Sequence, residues 1–336
     1  MKKTKVLYVE DEIFLSDIFK ANVGFRTTAY ILEHKTYRSY EPRLSIIVNL
    51  KEWHFKAAYS KMQQNIHLLT NSGIGFQNDI WVPSTDKIKP QQSEQWAIGL
   101  SKYWTLLDID MSIEAYYKKM SNLIDYKEGS NILKSADDWY KSVEVNGTGE
   151  SKGIELFLHK KTGRLNGFLS YTLAKTDRQF SNINFGEKYA FRYDSRHNFN
   201  ITSNFKINKK WDISGTWVFK SGEPITLPSY TIEVPKFDSI FGTNELPIYT
   251  KRNNYRLPTY HRADISVNKK ITTRKNRQRT WSFGAYNLYN RRNVLYIELS
   301  NQRIYNATTQ KFDYRQSLQA KSLFSIVPFI SYSLSW

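Results

Sequence analysis

The sequence predicts an all-β chain: an antiparallel transmembrane β-barrel segment of about twelve strands, with short periplasmic turns and long extracellular loops. Three observations predict it. Apolar and polar residues alternate with a period of two along most of the chain. The connections between these stretches alternate between tight and long. Tryptophans stand beside the tight connections.

The alternation starts near Ala21 and gives strands at roughly 21–31, 42–50, 53–64, 94–104, 108–126, 150–161, 164–178, 197–208, 211–225, 262–273, 280–297 and 320–336. In "IDMSIEAYYKK", Ile109, Met111, Ile113, Ala115 and Tyr117 fall on one face, with Asp110, Ser112, Glu114 and Lys118 on the other. In "FNITSNFKI", Phe199, Ile201, Phe205 and Ile207 alternate with Asn200, Thr202, Asn204 and Lys206. The last strand sets Ile330, Tyr332, Leu334 and Trp336 against Ser331, Ser333 and Ser335. Many spans reach the ~9–11 residues that cross a bilayer at a tilt.

The tight connections are "KEW" (51–53), "TLLD" (105–108), "KTGR" (161–164), "NKK" (208–210) and "TRKNRQR" (273–279). The long ones cover roughly 65–93, 127–149, 179–196, 226–261 and 298–319. A soluble sandwich has no reason to gather its long loops at one end, whereas an outer-membrane barrel does. Trp53, Trp211 and Trp281 open strands after tight turns, Trp104 closes one before a tight turn, and Trp336 is the last residue. All five fall on the apolar face, as expected for rings anchored at a membrane interface.

Composition narrows the function. Cysteine is absent, which excludes disulfide and thiolate chemistry. The net charge of +18 is spread along the chain with no dominant basic block, so nucleic acid is not an expected partner. No apolar run approaches the ~18 residues of a membrane helix. The start, "MKKTKVLYVEDE", is not a signal peptide, because acids interrupt its apolar run. The mean hydropathy of −0.58 suits a wet lumen with long loops.

Lys5–Ser16, "KVLYVEDEIFLS", resembles the start of a response-regulator receiver domain, where acidic residues after a strand hold Mg²⁺. The match stops there, since "EPRLSIIVNLKEW" carries no acceptor Asp. Residues 1–18 are therefore expected to stand outside the barrel as an anomalous segment without a domain, and 19–336 to form barrel wall.

No metalloprotease, P-loop, dinucleotide or nucleophile-elbow motif occurs, and the six histidines lack metal-ligand spacing. The chain is expected to be neither an enzyme nor a cofactor or metal binder. Loop aromatics Trp81, Trp139 and Tyr140 are candidate ligand contacts or loop-packing residues. Lys87, Lys89, Lys134 and Lys141 are either ordinary solvated loop charges, the reading their dispersal favours, or contacts for lipopolysaccharide phosphates or an anionic substrate.

From about Phe19 to Trp336 the chain resembles the C-terminal half of a TonB-dependent receptor of the Bacteroidota outer membrane. The stretches that carry the resemblance include "EPRLS" (41–45), "PSTDKIKPQQSEQW" (83–96), "GFLSYTLAKTDRQF" (167–180), "YDSRHNFN" (193–200), "WVFKSGEPIT" (217–226), "PTYHRADISVN" (258–268), "YNLYNRRNV" (286–294) and "VPFISYSLSW" (327–336). The resemblance implies an importer with a barrel of about 22 strands, an N-terminal plug and a TonB box. It makes these strands the last twelve, so the chain is expected to be a fragment lacking plug and TonB box. Contact with the TonB complex would then run only through that missing region. Outer-membrane lipid and lipopolysaccharide are implied partners. The pattern Ile330, Tyr332, Leu334, Trp336 looks like the signal read by the barrel-assembly machinery. The substrate is not readable: siderophores, cofactors, glycans and peptides all fit the family. Two alternatives stay open, a soluble or surface β-rich binding or adhesion module and a self-sufficient twelve-stranded barrel. Burial of Ile201, Ile213 and Leu334 would favour the module; their exposure in a belt would favour a barrel.

Overall fold

The computed structural model describes residues 3–75, 79–130, 139–233, 245–273, 277–306 and 310–335. One antiparallel sheet dominates it. It contains fourteen strands, thirteen of them on a single hydrogen-bonded path, and the short Tyr189–Ala190 strand pairs beside that path. The path runs β1 (Lys3–Phe14), β2 (Phe19–Ile31), β3 (Thr36–Leu50), β4 (Trp53–Gln64), β5 (Gln91–Trp104), β6 (Ile109–Tyr126), β7 (Val143–Lys160), β8 (Leu165–Gln179), β9 (His197–Lys206), β10 (Trp211–Lys220), β11 (Tyr260–Thr272), β12 (Gln278–Tyr286) and β13 (Val327–Ser335). Each strand pairs with its neighbour in this order, so the connectivity is an up-and-down meander.

The register keeps apolar residues on one face across the sheet. Val48, Phe55, Leu100, Ile113, Leu156, Tyr171, Phe199 and Phe219 form one continuous cross-strand row. This face is uncovered: Ile98 is 65% exposed, Ile201 38% and Leu334 36%. A sandwich would bury these residues against a second sheet. The opposite face carries Ser, Thr, Asn and charged groups that pair across strands. Thr202 and Thr216 hydroxyls lie 3.1 Å apart, and Asn268 donates to Asp212 at 2.8 Å.

Local chemistry sets the short rim. Lys51, Asp108 and Gly163 take positive φ in the turns after β3, β5 and β7. The Asn208 side chain accepts the Lys210 and Trp211 amides at 2.8 and 3.0 Å, closing the turn between β9 and β10. The long connections leave the other rim.

Several boundaries differ from the sequence reading, among them those at 42–50, 150–161, 211–225 and 320–336, which are Thr36–Leu50, Val143–Lys160, Trp211–Lys220 and Val327–Ser335, and two differences alter the wall. Lys3–Phe14, expected to stand outside the barrel, is paired residue for residue with β2 and becomes the first wall strand. Its acidic residues do not converge: Glu10 and Glu12 lie on the polar face, where Glu10 accepts the Asn22 amide at 3.0 Å, and Asp11 lies on the other face. The strand expected at 280–297 ends at Tyr286. Asn287, at positive φ, accepts the Arg291 amide and donates to the Arg291 carbonyl, both at 2.9 Å, and so folds the chain out of the sheet.

Among the described residues β1 and β13 pair with nothing on their outer sides. Thirteen antiparallel strands leave these two edges running in the same direction.

Adjacent residues on β6 should therefore respond oppositely to charge. In the membrane-assembled barrel that the sequence predicts, Ile113→Arg should cost about 2–4 kcal/mol, as expected for an arginine on the lipid face near mid-depth. Ser112→Arg, on the polar face, should change stability by less than ~1 kcal/mol. Denaturant unfolding in lipid vesicles checks both.

Candidate functional site

The buried apolar residues lie at the long-loop rim, not within the wall. Leu69, Val82, Ile88, Ile124, Tyr126 and Val143 form one cluster, Leu123, Phe180, Ile183 and Tyr189 a second, and Ile225, Leu227, Leu257 and Ile297 a third. The long connections thus fold into a packed layer over the strand ends. Hairpins Ile66–Leu69 with Ile80–Pro83, Tyr230–Glu233 with Glu245–Ile248, and Tyr296–Asn306 with Lys311–Lys321 organise it.

Buried ion pairs stitch this layer together. Asp125, at the end of β6, accepts Tyr189 Oη at 2.7 Å, Arg252 Nη2 at 3.0 Å and its neighbour's amide at 2.8 Å; Arg178 lies 3.8 Å away. The Arg178 guanidinium also stacks on Phe191, 3.8 Å from the ring centre. Asp194 accepts the Thr176 amide at 2.7 Å and is held by Arg256, which also donates to the Asp194 carbonyl at 2.7 Å. Arg192 spans from the 180–196 connection to Asp79 and to the Asn71 carbonyl, each at 2.7 Å. Three connections, 65–90, 180–196 and 221–259, are therefore clamped to one another and to β6. Burial and the Asp125 carboxylate push the Tyr189 hydroxyl well above its ordinary range, which keeps it a donor. Burial and the Asp79 hydrogen bond push Tyr193 up to about 12.

His67 sits fully buried in the first hairpin. Its Nε2 lies 3.1 Å from the Lys89 carbonyl and 3.2 Å from Ser84 Oγ, while Nδ1 finds no partner. Burial lowers its pKa to about 4.

Where the 221–259 and 287–326 connections meet the ends of β10 and β11, a cavity of about 440 Å³ is lined by Lys220, Glu223, Tyr260, Arg262, Asn293 and Phe324. Lys220 pairs with Glu223 at 2.6 Å and Arg262 with Asp264 at 2.9 Å. Arg262 Nε finds no protein acceptor. The cavity offers cationic and phenolic donors to an acceptor-rich ligand. Among the described residues no group of three or more His, Asp or Glu could share a metal ion.

The sequence-predicted aromatics divide. Trp139 and Tyr140 pack against the first loop cluster, and Lys87 stacks 4.6 Å over Tyr140. Trp81 is 60% exposed on its hairpin. Trp53, Trp104, Trp211 and Trp281 all lie on the apolar wall face toward the short rim, where Trp281 packs on Tyr332 at 4.8 Å. Ile330 and Leu334 share that face. Trp336 and Lys134 lie outside the described residues. A second girdle was missed: Tyr59, Trp96 and Tyr117 stack side by side at 5.5 and 6.0 Å on the apolar face. Trp96 and Trp104 are eight residues apart on β5, about 27 Å along the strand. At a tilt of 35–45° that separation spans about 19–22 Å of depth, most of an apolar band about 25 Å tall.

The family model described as TonB dependent receptor-like, beta-barrel, matches residues 2–288. No curated protein matches the sequence. Among solved structures the chain is similar to the ferripyoverdine receptor of the outer membrane of Pseudomonas aeruginosa, with 12% identity and a TM-score of 0.58 over 100% of this chain and 39% of that one. It is also similar to the ferric citrate transporter FecA (11%, TM-score 0.55, covering 99% and 45%) and to the FrpB iron transporter of Neisseria meningitidis (11%, 0.59, 99% and 45%). The chain thus spans about two fifths of the length of the solved receptors it resembles.

Two outcomes follow from the loop layer. Asp125→Ala strips the carboxylate from two buried arginines and should cost about 3–5 kcal/mol, the cost of breaking a buried pair. It should open the 180–196 and 221–259 connections to limited proteolysis while leaving the wall protected. The His67 pKa in the fold lies below its unfolded value, so its contribution is complete above pH ~6.5 and is lost as pH falls toward 4. Amide protection factors in the Ile66–Leu69 and Ile80–Pro83 strands should fall across that window, and His67→Gln should flatten that pH dependence.

Proposed function

The chain belongs to the TonB-dependent receptor β-barrel family, an outer-membrane family, and from that premise we propose that it forms part of the wall of a receptor for TonB-dependent uptake of a nutrient. One observation carries the reading: thirteen antiparallel strands expose an apolar belt on one face and end in two unpaired edges with the same direction. An all-antiparallel barrel needs an even number of strands. Closure therefore calls for an odd number more, and about nine would complete the 22 strands of this transporter class. A second copy in the same orientation would bring the edges together in parallel, so the partner is a different segment of receptor wall. Unpaired edges cannot remain in lipid, where each bare backbone group costs several kcal/mol.

In this reading the long-loop rim faces the medium and the short rim the periplasm. The Trp53, Trp104, Trp211 and Trp281 girdle then marks the inner interface. Contact with TonB runs through a plug region supplied with the complementary segment. The outward face of β13, with Ile330, Tyr332 and Leu334, is offered to the barrel-assembly machinery. The substrate meets the cavity at Lys220, Tyr260 and Arg262; its cationic donors, together with the iron-chelate receptors among the similar structures, make an anionic ferric chelate the first class to test.

Expressed alone in an outer-membrane-competent host, the chain should yield no heat-modifiable membrane protein. Co-expressed with a complementary N-terminal receptor segment, it should yield a heat-modifiable band carrying both pieces. A stable heat-modifiable monomer from the chain alone would instead favour a self-sufficient barrel.

A further inference from the structure

We propose that Glu223 sets the specificity of the cavity at the ends of β10 and β11, selecting a chelate that carries a protonated amine beside its acceptor groups over one that is only anionic. This rests on the reading that the cavity meets a ferric chelate, and it adds what decides among chelates.

The cavity exists because β12 stops short. Its pairing with β11 begins at Ile265, so the β11 edge above that point has no neighbouring strand. The connection after Tyr286 takes the place of one. The Leu288 amide donates to the Ala263 carbonyl at 2.7 Å. The Asn293 side chain accepts the His261 amide at 3.1 Å and donates to the His261 carbonyl at 3.0 Å. Asn293, Val294 and Leu295 of this connection then line a cavity of about 440 Å³, within the size range of small-molecule sites.

The polar part of the lining is charge-balanced. Lys220 donates to Glu223 at 2.6 Å, and Arg262 pairs with Asp264 at 2.9 Å. Both cations are matched before a ligand arrives. A polyanion drawn to Lys220 and Arg262 meets two carboxylates at similar range, so attraction and repulsion largely offset. A ligand ammonium changes this. It replaces Lys220 at Glu223. The released lysine, the Tyr260 hydroxyl and the remaining Arg262 N–H groups then serve the acceptors of the same ligand. Glu223 is the carboxylate placed for the exchange, because it lines the cavity, whereas Asp264 also accepts the Asn287 amide at 2.9 Å.

The backbone under Glu223 is fixed. The Leu257 amide donates to the Glu223 carbonyl at 3.0 Å, and a short ladder pairs Pro224 and Ile225 with Arg256 and Tyr255. Gly222 lies so close to Leu257 that an added Cβ would collide with the Leu257 carbonyl oxygen. Arg256 donates to the Gly222 carbonyl at 3.1 Å and is anchored on the buried Asp194 carboxylate. A carboxylate on so clamped a segment discriminates, because it does not move to suit each ligand.

The rest of the lining is apolar. Leu257, Val294 and Leu295 contribute to it, and Leu323 and Phe324 are 67% and 71% exposed. Large apolar side chains this bare, beside a charge-balanced pole, suit an amine carried on a hydrocarbon arm. The class assigned is therefore a ferric chelate with an alkyl-linked amine.

The test titrates the assembled receptor in detergent with three probes, read by quenching of tryptophan fluorescence. Ferrioxamine B is a hydroxamate chelate with a pentyl-linked ammonium, its N-acetyl derivative has an amide in place of that ammonium, and ferric citrate is a polycarboxylate without an amine. The wild type should bind ferrioxamine B about tenfold more tightly than the N-acetyl derivative, a difference near 1.4 kcal/mol. Glu223→Gln should erase that preference and tighten ferric citrate several-fold, since Lys220 is left free. Glu223→Asp should keep part of the preference. Heat modifiability of each variant reports folding, and the gain for citrate is an effect that a merely distorted cavity would not give. Equal binding of the two ferrioxamines by the wild type, binding of ferric citrate alone, or an unchanged preference in Glu223→Gln would overturn the role of Glu223 and leave the cavity as a chelate site. Binding of none of the three by the wild type would overturn that reading and this inference with it.

Discussion

Everything in this structure depends on the pairing of backbone amides and carbonyls in a place where water cannot pair them. A meander of long antiparallel strands is the simplest chain path that satisfies every interior strand on both sides. It makes no demand on a hydrophobic core, so the wall has none. Apolar residues such as Ile98, Ile113 and Ile201 are exposed on one face of the sheet and not packed into a core. Among the described residues the same constraint leaves β1 and β13 unpaired at their outer edges, which is the ground for the proposal that further strands complete the wall.

The core of an ordinary soluble domain has moved to one rim. There the connections are long enough to leave the wall and water returns, so apolar clusters bury themselves and arginine–carboxylate clamps hold the loops in register. Asp125, Asp194 and Asp79 each collect donors from residues many positions away. Their separation fixes the loop layer as a rigid cap in place of a set of independent loops. The Lys220–Tyr260–Arg262 cavity is lined largely by such connections, so its donors are held by the same layer.

The wall was legible in the sequence because period-two alternation is a local signal, repeated wherever one face meets lipid and the other water. It failed at β1, where Val6, Leu7, Tyr8 and Val9 are apolar on both faces and three acids follow. There the strand is revealed only by its partner. It failed again at Asn287, whose side-chain hydrogen bonds end β12 although apolar residues return at Leu288, Tyr289, Val294 and Leu295. The second girdle was written in the alternation at Tyr59, Trp96 and Tyr117, yet it becomes a girdle only when the register sets the three side by side. The arginine clamps were not legible at all, since they arise from pairings between distant connections and no local pattern encodes them.

The central claim is that one strand face meets lipid and the other meets water. The absence of cysteine allows a direct measurement. Single cysteines placed in turn from Ile109 to Lys119 in the assembled receptor can carry a fluorophore, read for quenching by brominated lipid acyl chains and by aqueous iodide. The account predicts strict alternation, with lipid quenching at Met111, Ile113, Ala115 and Tyr117 and iodide quenching at Ser112, Glu114, Tyr116 and Lys118. Uniform iodide quenching along the strand, or an inverted pattern with the even positions in lipid, would contradict it.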